Sequence, residues 1–353
     1  MSTVLVTGGA GFIGTHVVHA LSADPGRSVV VLDALTYAGN LAGIQPLIDS
    51  HQIEFVRGDI CDPQCVSEVF TRFDVQQVVH LAAESHVDRS IKGAGPFVQT
   101  NVVGTQILLD AAVRQFRSDS DARAVFVHVS TDEVFGDLEA DAAPFHADHR
   151  YQPSSPYAAS KAASDHLVRA WARTYGLPIC ITNCGNNYGP WQFPEKLIPL
   201  MILNAIDERP LPVYGDGQQV RDWIHVSDHA RALIHVLDHG SSLGTYLVGA
   251  NCERSNLYIV KRICELMDAA LGRSADSTAE LITFVTDRPG HDRRYALDAT
   301  SMHQLNWEPS HIIDTALKGV IDWYLNHRDW CDAIRSGEYR SWYEQQYGST
   351  GTE

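Results

Sequence analysis

The run Gly8-Gly9-Ala10-Gly11-Phe12-Ile13-Gly14 restricts the folds open to this chain more than any other stretch. The apolar Val4-Leu5-Val6-Thr7 before it reads as a buried strand, and the pattern after it reads as a helix through Ala23. From Gly9 the spacing is G-x-G-x-x-G; from Gly8 it is G-x-x-G-x-x-G. Glycines between a strand and a helix permit a tight turn and let backbone N–H groups approach a pyrophosphate at the helix N-terminus. A second strand, Ser28 to Leu32, ends at Asp33, 19 residues beyond Gly14. An acid at that distance suits a ribose 2′-hydroxyl and repels a 2′-phosphate, so NAD is expected over NADP. The plain alternative is a strand-end acid that caps a turn.

Strand-like runs recur at Ile53 to Val56, Val78 to Leu81, Ala124 to Val129 and Ile179 to Thr182, with helical patterns at Phe97 to Phe116 and Tyr157 to Tyr175. Strands alternating with helices predict an α/β fold with a doubly wound parallel sheet. Ligands then sit outside the carboxyl ends of the strands. Asp59 and the stretch Ala82, Ala83, Glu84 follow two of those ends. Beyond about Thr182 the alternation loosens and proline and glycine accumulate, as in Asn186-Asn187-Tyr188-Gly189-Pro190 and Arg288-Pro289-Gly290-His291. A boundary is expected near residue 184, with a nucleotide-binding domain over 1–184, whose core can include later strands, and a loop-rich domain over 185–353. A last helix is marked by Ile312, Ile313, Ala316, Leu317, Val320, Ile321 and Tyr324.

Charge and cysteine content narrow the partners. A formal net charge of -16 argues against nucleic acid or an anionic membrane surface, although an anionic small ligand answers to its local cleft. No run approaches the length of a membrane span, and no signal peptide is read. The seven cysteines show no zinc-type or redox CxxC spacing, so reduced thiols in a cytoplasmic protein are expected. His225 and His229 stand four apart without an H-E-x-x-H context; solvated histidines are expected, and no metal.

Two clusters carry chemistry. Ser130-Thr131-Asp132-Glu133-Val134-Phe135-Gly136 places adjacent carboxylates where a buried strand ends. Consecutive strand residues face opposite sides, so both acids can serve one ligand only if the strand has ended by Thr131. An isolated Asp-Glu pair is ordinarily a turn cap. The second cluster is Tyr157 and Lys161, four apart behind Ser155 as N-cap and Pro156 at the first helical position, hence on one helix face. A neighbouring ammonium favours a phenolate, and such a base can take a hydroxyl proton while a hydride leaves the same carbon for nicotinamide.

Together GGAGFIG (8–14), Asp33, AAESHVDRS (82–90), STDEVFG (130–136), SSPYAASK (154–161), NNYGPWQFPEKLIP (186–199), RDWIHVSDHARA (221–232) and DRPGHDRRYALD (287–298) resemble the extended short-chain dehydrogenase/reductase family, most closely its 4,6-dehydratase branch. The likeness runs from residue 3 to at least Tyr347. It implies a Rossmann-type sheet with a smaller α/β substrate-binding C-terminal domain, bound NAD, a homodimer, and dTDP-glucose as the substrate. Cofactor contacts are implied for Gly8, Gly11, Phe12, Ile13, Gly14, Asp33, Asp59, Ile60, Ala82, Ala83, Glu84, Tyr157, Lys161 and Asn186. Tyr157, assisted by Thr131 and Lys161, would take the sugar C4 hydroxyl proton as the C4 hydride departs. Glu133 would then remove the C5 proton, and Asp132 would protonate the leaving C6 hydroxyl. Asn186, Arg221, Asn256, Arg288 and Tyr347 would face the diphosphate, and Lys196, Leu197, Pro212 and Tyr214 the nucleoside; Ser85, His86, Asn187 and His291 complete the implied substrate site.

The sequence departs from the family pattern at Phe135, where a tyrosine is expected, and at Gly185, where a serine is expected. Other readings stay open: the same dehydration of UDP-glucose, a sugar-nucleotide 4-epimerase, which needs Tyr157 and Lys161 but not the acid pair, and a non-catalytic NAD-sensing module.

Overall fold

Val4, Leu5 and Val6 are completely buried, as are Val30, Val31 and Leu32, because the strands that hold them are covered on both faces. The structure is a computed structural model and describes residues 2–116 and 124–335; Tyr347 lies outside the described residues. The strands are β1 (Ser2–Thr7), β2 (Arg27–Asp33), β3 (Ile53–Arg57), β4 (Gln77–His80), β5 (Val125–Thr131), β6 (Ile179–Cys184), β7 (Asn186–Tyr188), β8 (Leu211–Tyr214), β9 (Val220–His225), β10 (Gly244–Val248), β11 (Glu253–Ser255) and β12 (Ile282–Val285). Seven form one parallel sheet in the order β10-β6-β5-β4-β1-β2-β3. The order reverses between β1 and β4, which opens a crevice at their carboxyl ends. This is the doubly wound sheet expected from the sequence.

Apolar layers cover both faces. On one side the helices Phe12–Ser22 and Val226–His239 pack together through Val17, Val18, Leu21, Leu233 and Val236. On the other, Pro63–Arg72, Thr105–Phe116 and Pro156–Tyr175 contribute Phe70, Leu108 and Val168. The continuous helix expected from Phe97 to Phe116 instead contains a widened π segment at Val98–Gly104. That segment carries Thr100 to the cavity described below and places Asn101 where its amide brackets the Glu84 backbone, accepting from the N–H at 2.9 Å and donating to the carbonyl at 3.0 Å.

A further apolar cluster joins the helices Leu197–Ile206, Asn256–Leu271 and Ile313–Asn326. Beside it lie a three-stranded sheet, β11-β9-β7, and a two-stranded one, β12-β8. After entering this region at β7 the chain returns, because β10 pairs in parallel with β6. The main sheet is therefore completed by residues well beyond 184.

Candidate active site

A cavity of about 380 Å³ opens at the carboxyl ends of the main sheet. Its walls include Gly8, Gly11, Phe12, Ile13, Gly14, Asp33, Asp59, Ile60, Ala82, Ala83, Glu84, Ser85, Thr131, Asp132, Glu133, Tyr157, Lys161, Asn186, Asn187, Lys196 and Leu197. Every cofactor-contact and catalytic position expected from the sequence thus meets in one space.

The glycine loop suits a dinucleotide on steric grounds. Gly8 has φ +71°, and a Cβ there would lie 2.7 Å from Ala82 N. At Gly14 a Cβ would come within 2.1 Å of the Gly8 carbonyl oxygen, so the helix start packs directly on the turn. The helix Phe12–Ser22 begins without a side-chain cap, leaving its first N–H groups and positive dipole end toward the cavity. Asp33 is held in place, accepting from Ala10 N at 2.9 Å and Leu35 N at 2.8 Å. Buried and fixed at the end of β2, this carboxylate matches the donors of a ribose and opposes a second phosphate.

The strand that carries the acid pair ends where the chemistry requires. β5 stops at Thr131, and residues Asp132–Phe135 form one 3₁₀ turn, so the two carboxylates leave the strand alternation. Thr131 Oγ1 donates to Asp132 Oδ1 at 3.1 Å and accepts from Glu133 N at 3.3 Å. Burial pushes the Asp132 carboxyl well above the usual carboxylate range, and the adjacent Glu133 charge adds to this. Glu133 is raised by burial too, but the guanidinium groups of Arg288 and Arg221 and the Lys196 ammonium pull it back. Of the pair, Asp132 is thus the harder to ionise and Glu133 the more readily ionised.

Tyr157 and Lys161 sit on the helix Pro156–Tyr175, capped by Ser155 Oγ, which accepts from Ala158 N at 3.1 Å. The expected depression of the phenol by Lys161 is not found. Burial raises Tyr157, and the nearby Glu133 carboxylate raises it further. Lys161 Nζ instead donates to the Val129 carbonyl at 2.9 Å, and burial lowers its own pKa against the opposing pull of Asp165. Asp165, one helical turn on, is completely buried; it meets His128 at 3.1 Å and accepts from Ser130 Oγ at 3.0 Å and Tyr151 OH at 2.8 Å.

The remaining expected substrate residues within the described chain, His86, Pro212, Tyr214, Arg221, Asn256, Arg288 and His291, are not among the residues that line the cavity. Arg288 and Tyr214 converge on Asp88, at 3.5 and 3.0 Å. Arg221 is buried, 4.2 Å above the Tyr295 ring, and its charge reaches both Asp132 and Glu133. His291 bonds Asp287 at 2.6 Å, and His86 is buried 3.7 Å from Glu195. Pro212 is buried in β8, and Asn256 opens its helix with its N–H on the Gln219 carbonyl.

Sequence reasoning singled out none of Cys184, Gln192, Phe193, Glu195 or Trp223 as wall residues, yet all line the cavity. Glu195 sits within a motif read from the sequence, and its neighbours alone gave no sign that its carboxylate is buried. The histidine expectation is also corrected. His229 is completely buried with Nδ1 3.0 Å from Asn187 Oδ1, and His225 stacks on His311 at 4.3 Å. Among the described residues no group of three or more His, Cys, Asp or Glu is arranged to hold a metal ion. Both departures have local reasons. Phe135 is packed against Phe145 and Tyr151 at 5.0 and 5.2 Å, and a Cβ on Gly185 would lie 2.7 Å from the Asp222 carbonyl.

Residues 5–320 match a family model described as GDP-mannose 4,6 dehydratase. A dTDP-glucose 4,6-dehydratase of Shigella flexneri is 49% identical over 356 residues, covering 98% of each chain. The chain belongs to the dTDP-glucose 4,6-dehydratase family. Two solved members of that family share its fold. A dTDP-glucose 4,6-dehydratase from Bacillus anthracis in complex with NAD is 40% identical, with a TM-score of 0.84 over 95% of this chain and all (100%) of that one. The Streptomyces venezuelae dTDP-glucose 4,6-dehydratase DesIV, with NAD and a dTDP ligand bound, is 43% identical, with a TM-score of 0.85 over 94% and 99%. Short-chain dehydrogenase/reductase architecture is thus common to this chain and its dehydratase relatives.

Proposed function

We propose that this chain dehydrates dTDP-glucose to dTDP-4-keto-6-deoxyglucose, as a hydro-lyase that uses NAD and regenerates it within each turnover. The observation that carries the reading is the turn after β5, which gathers Asp132 and Glu133 around the Thr131 hydroxyl in the wall of the cavity that Tyr157 and Lys161 also line. A 4-epimerase needs the tyrosine and lysine but has no use for a second acid and base.

NAD, when bound, takes up the C4 hydride and returns it to C6. Tyr157 receives the C4 hydroxyl proton, and Thr131 orients the phenol for this. Burial holds the phenol protonated; a bound NAD would bring positive charge beside it, which would favour the phenolate that takes the proton. Glu133 removes the C5 proton, made acidic by the new C4 ketone, and gives a proton back to C5 as the hydride arrives at C6. Asp132, neutral because it is buried beside Glu133, delivers its proton to the departing C6 hydroxyl. Arg221 and Arg288 supply fixed positive charge for the diphosphate, with Asn186 and Asn256 as further polar partners, and Lys196, Leu197, Pro212 and Tyr214 border the nucleoside.

The nucleotide-binding part comprises 2–184 together with the later helix Val226–His239 and β10; the sugar-nucleotide part takes the remainder. A homodimer is supported by family likeness. Free thiols at all seven cysteines support a cytoplasmic setting; among the described residues no helix is long and apolar enough to cross a membrane.

The deciding experiment supplies C4-deuterated dTDP-glucose, UDP-glucose and GDP-mannose separately and follows products by NMR. Deuterium at C6 of a 4-keto-6-deoxy product from dTDP-glucose is expected. A galactose product would favour epimerisation, and faster turnover of UDP-glucose would move the base preference.

A further inference from the structure

The topology sends two distant segments over the same crevice. Residues 34–40 follow β2 and line the cavity through Ala34, Thr36, Ala38 and Gly39; residues 192–198 follow β7, next in the chain after β6, and line it through Gln192, Phe193, Glu195 and Lys196. In the sheet, β2 and β6 are separated by β1, β4 and β5. At about 4.8 Å per strand spacing the two strand ends stand roughly 19 Å apart. Any link between the segments that follow them must pass in front of the cofactor crevice.

Such a link exists. Tyr37 OH donates to Glu195 Oε1 at 3.0 Å, and the Tyr37 ring meets Phe193 edge to face at 5.6 Å. Arg89, from the segment after β4, lays its guanidinium 3.8 Å over the Tyr37 ring while its Nε lies 3.3 Å from Glu195 Oε2. The Glu195 side chain is 1% exposed, so the ion pair is protected from solvent screening. The Tyr37 segment is itself tied to the dinucleotide loop at both ends, by Leu35 N on Asp33 and by Asn40 N on the Ala10 carbonyl at 2.9 Å.

We infer that Tyr37, Glu195 and Arg89 form a strap across the crevice that holds the dinucleotide in place between the two hydride transfers of one turnover. The inference rests on reading the cavity as an NAD site. Its chemical sense is specific to a reaction that oxidises and then reduces the same sugar. A reduced cofactor lost midway would strand the 4-keto intermediate, so a site of this kind benefits from a clasp that an ordinary dehydrogenase, which exchanges cofactor every cycle, has to open. Tyr37 is a positioning residue here: its phenol is kept protonated by burial and by the nearby Glu195 and Glu84 charges, and so stays a donor to Glu195.

The test follows cofactor departure directly. Protein loaded with NADH is mixed with a large excess of NAD, and the loss of bound-NADH fluorescence gives the dissociation rate. Tyr37→Phe removes one hydrogen bond to a charged acceptor and is expected to release NADH about tenfold faster. Its turnover at saturating NAD is expected to stay near that of the parent, while NADH appears free in solution during turnover. The double variant Tyr37→Phe/Glu195→Gln is expected to be no faster than the faster single variant, because both cut one link. Equal rates in Tyr37→Phe and the parent, or effects that multiply in the double variant, would overturn the strap. A parent that binds no NADH would overturn the reading of the cavity itself. Should Tyr37→Phe fail to fold, Arg89→Lys, which keeps the charge and loses the planar stacking, carries the same expectation and the same refutation.

Discussion

Thr131 Oγ1 stands 3.1 Å from the Asp132 carboxyl, and the other oxygen of that carboxyl makes no hydrogen bond within the protein although it is buried. A buried carboxyl with one donor and one bare oxygen is poorly suited to carry charge. Of the two acids Asp132 is therefore the better suited to give a proton, and Glu133, drawn down by three nearby cations, to take one.

Removing the base leaves the first half of the reaction intact. Glu133→Gln is expected to slow elimination by about 10²–10⁴-fold, while C4 oxidation remains visible as nicotinamide absorbance in a single turnover. Undiminished formation of the 4-keto-6-deoxy product in that variant would end the role assigned to Glu133.

The raised pKa of Asp132 has a stability consequence whose sign is fixed. A carboxyl with a folded pKa above its unfolded value favours the folded state below the unfolded pKa, about 3.9, and this advantage is lost as pH rises through the folded pKa. Asp132→Asn escapes that loss. Its thermal midpoint is expected to exceed that of the parent by more at pH 8 than at pH 5, even as dehydration fails. A difference between the two proteins that shrank on going to pH 8 would contradict the assignment.

Gly14→Ala is expected to abolish NAD binding and to destabilise the fold by about 1–3 kcal/mol or more, since the new methyl would meet the Gly8 carbonyl rather than a side chain that can move aside. Isothermal titration with NAD and chemical denaturation together measure both effects. Normal NAD affinity in a folded variant would show that the turn can open.

The helix Ile313–Asn326 reaches a residue of the cavity wall, Gln192, through a hydrogen bond. Tyr324 OH donates to the Gln192 carbonyl at 2.7 Å, and Gln192 Nε2 donates to the Asn187 carbonyl at 2.9 Å. Tyr324→Phe is expected to cost about 1 kcal/mol of stability and to raise KM for the nucleotide sugar several-fold with little change in kcat. An altered kcat at constant KM would argue that this helix acts on chemistry rather than on binding.

Features set by short-range spacing were legible in the sequence. The glycine turn, Asp33 at the end of the next strand, and the four-residue interval from Tyr157 to Lys161 all follow from local geometry. The end of β5 at Thr131 was legible as a requirement, because alternation along a strand would otherwise part Asp132 from Glu133. Properties arising from tertiary packing were not. Nothing near Tyr37 or Glu195 announces a partner 158 residues away. The burial of His229 depends on the fit between the helix Val226–His239 and Asn187, and the sign of the shift at Tyr157 on its own burial, to which the Glu133 carboxylate from another strand end adds. The widened turn at Val98–Gly104 keeps an apolar spacing close to that of an ordinary helix, so periodicity conceals it.

The pairing of β10 with β6 constrains how such an enzyme can be re-engineered. A chimera that exchanges the sugar-recognition part with a relative by a single splice near residue 184 would sever β10 and the helix Val226–His239 from the sheet they complete, exposing the edge of β6 and one apolar face. A workable graft needs several junctions, one on each passage between the two parts. Specificity in this scaffold is therefore easier to alter by replacing individual side chains around the cavity than by exchanging whole modules.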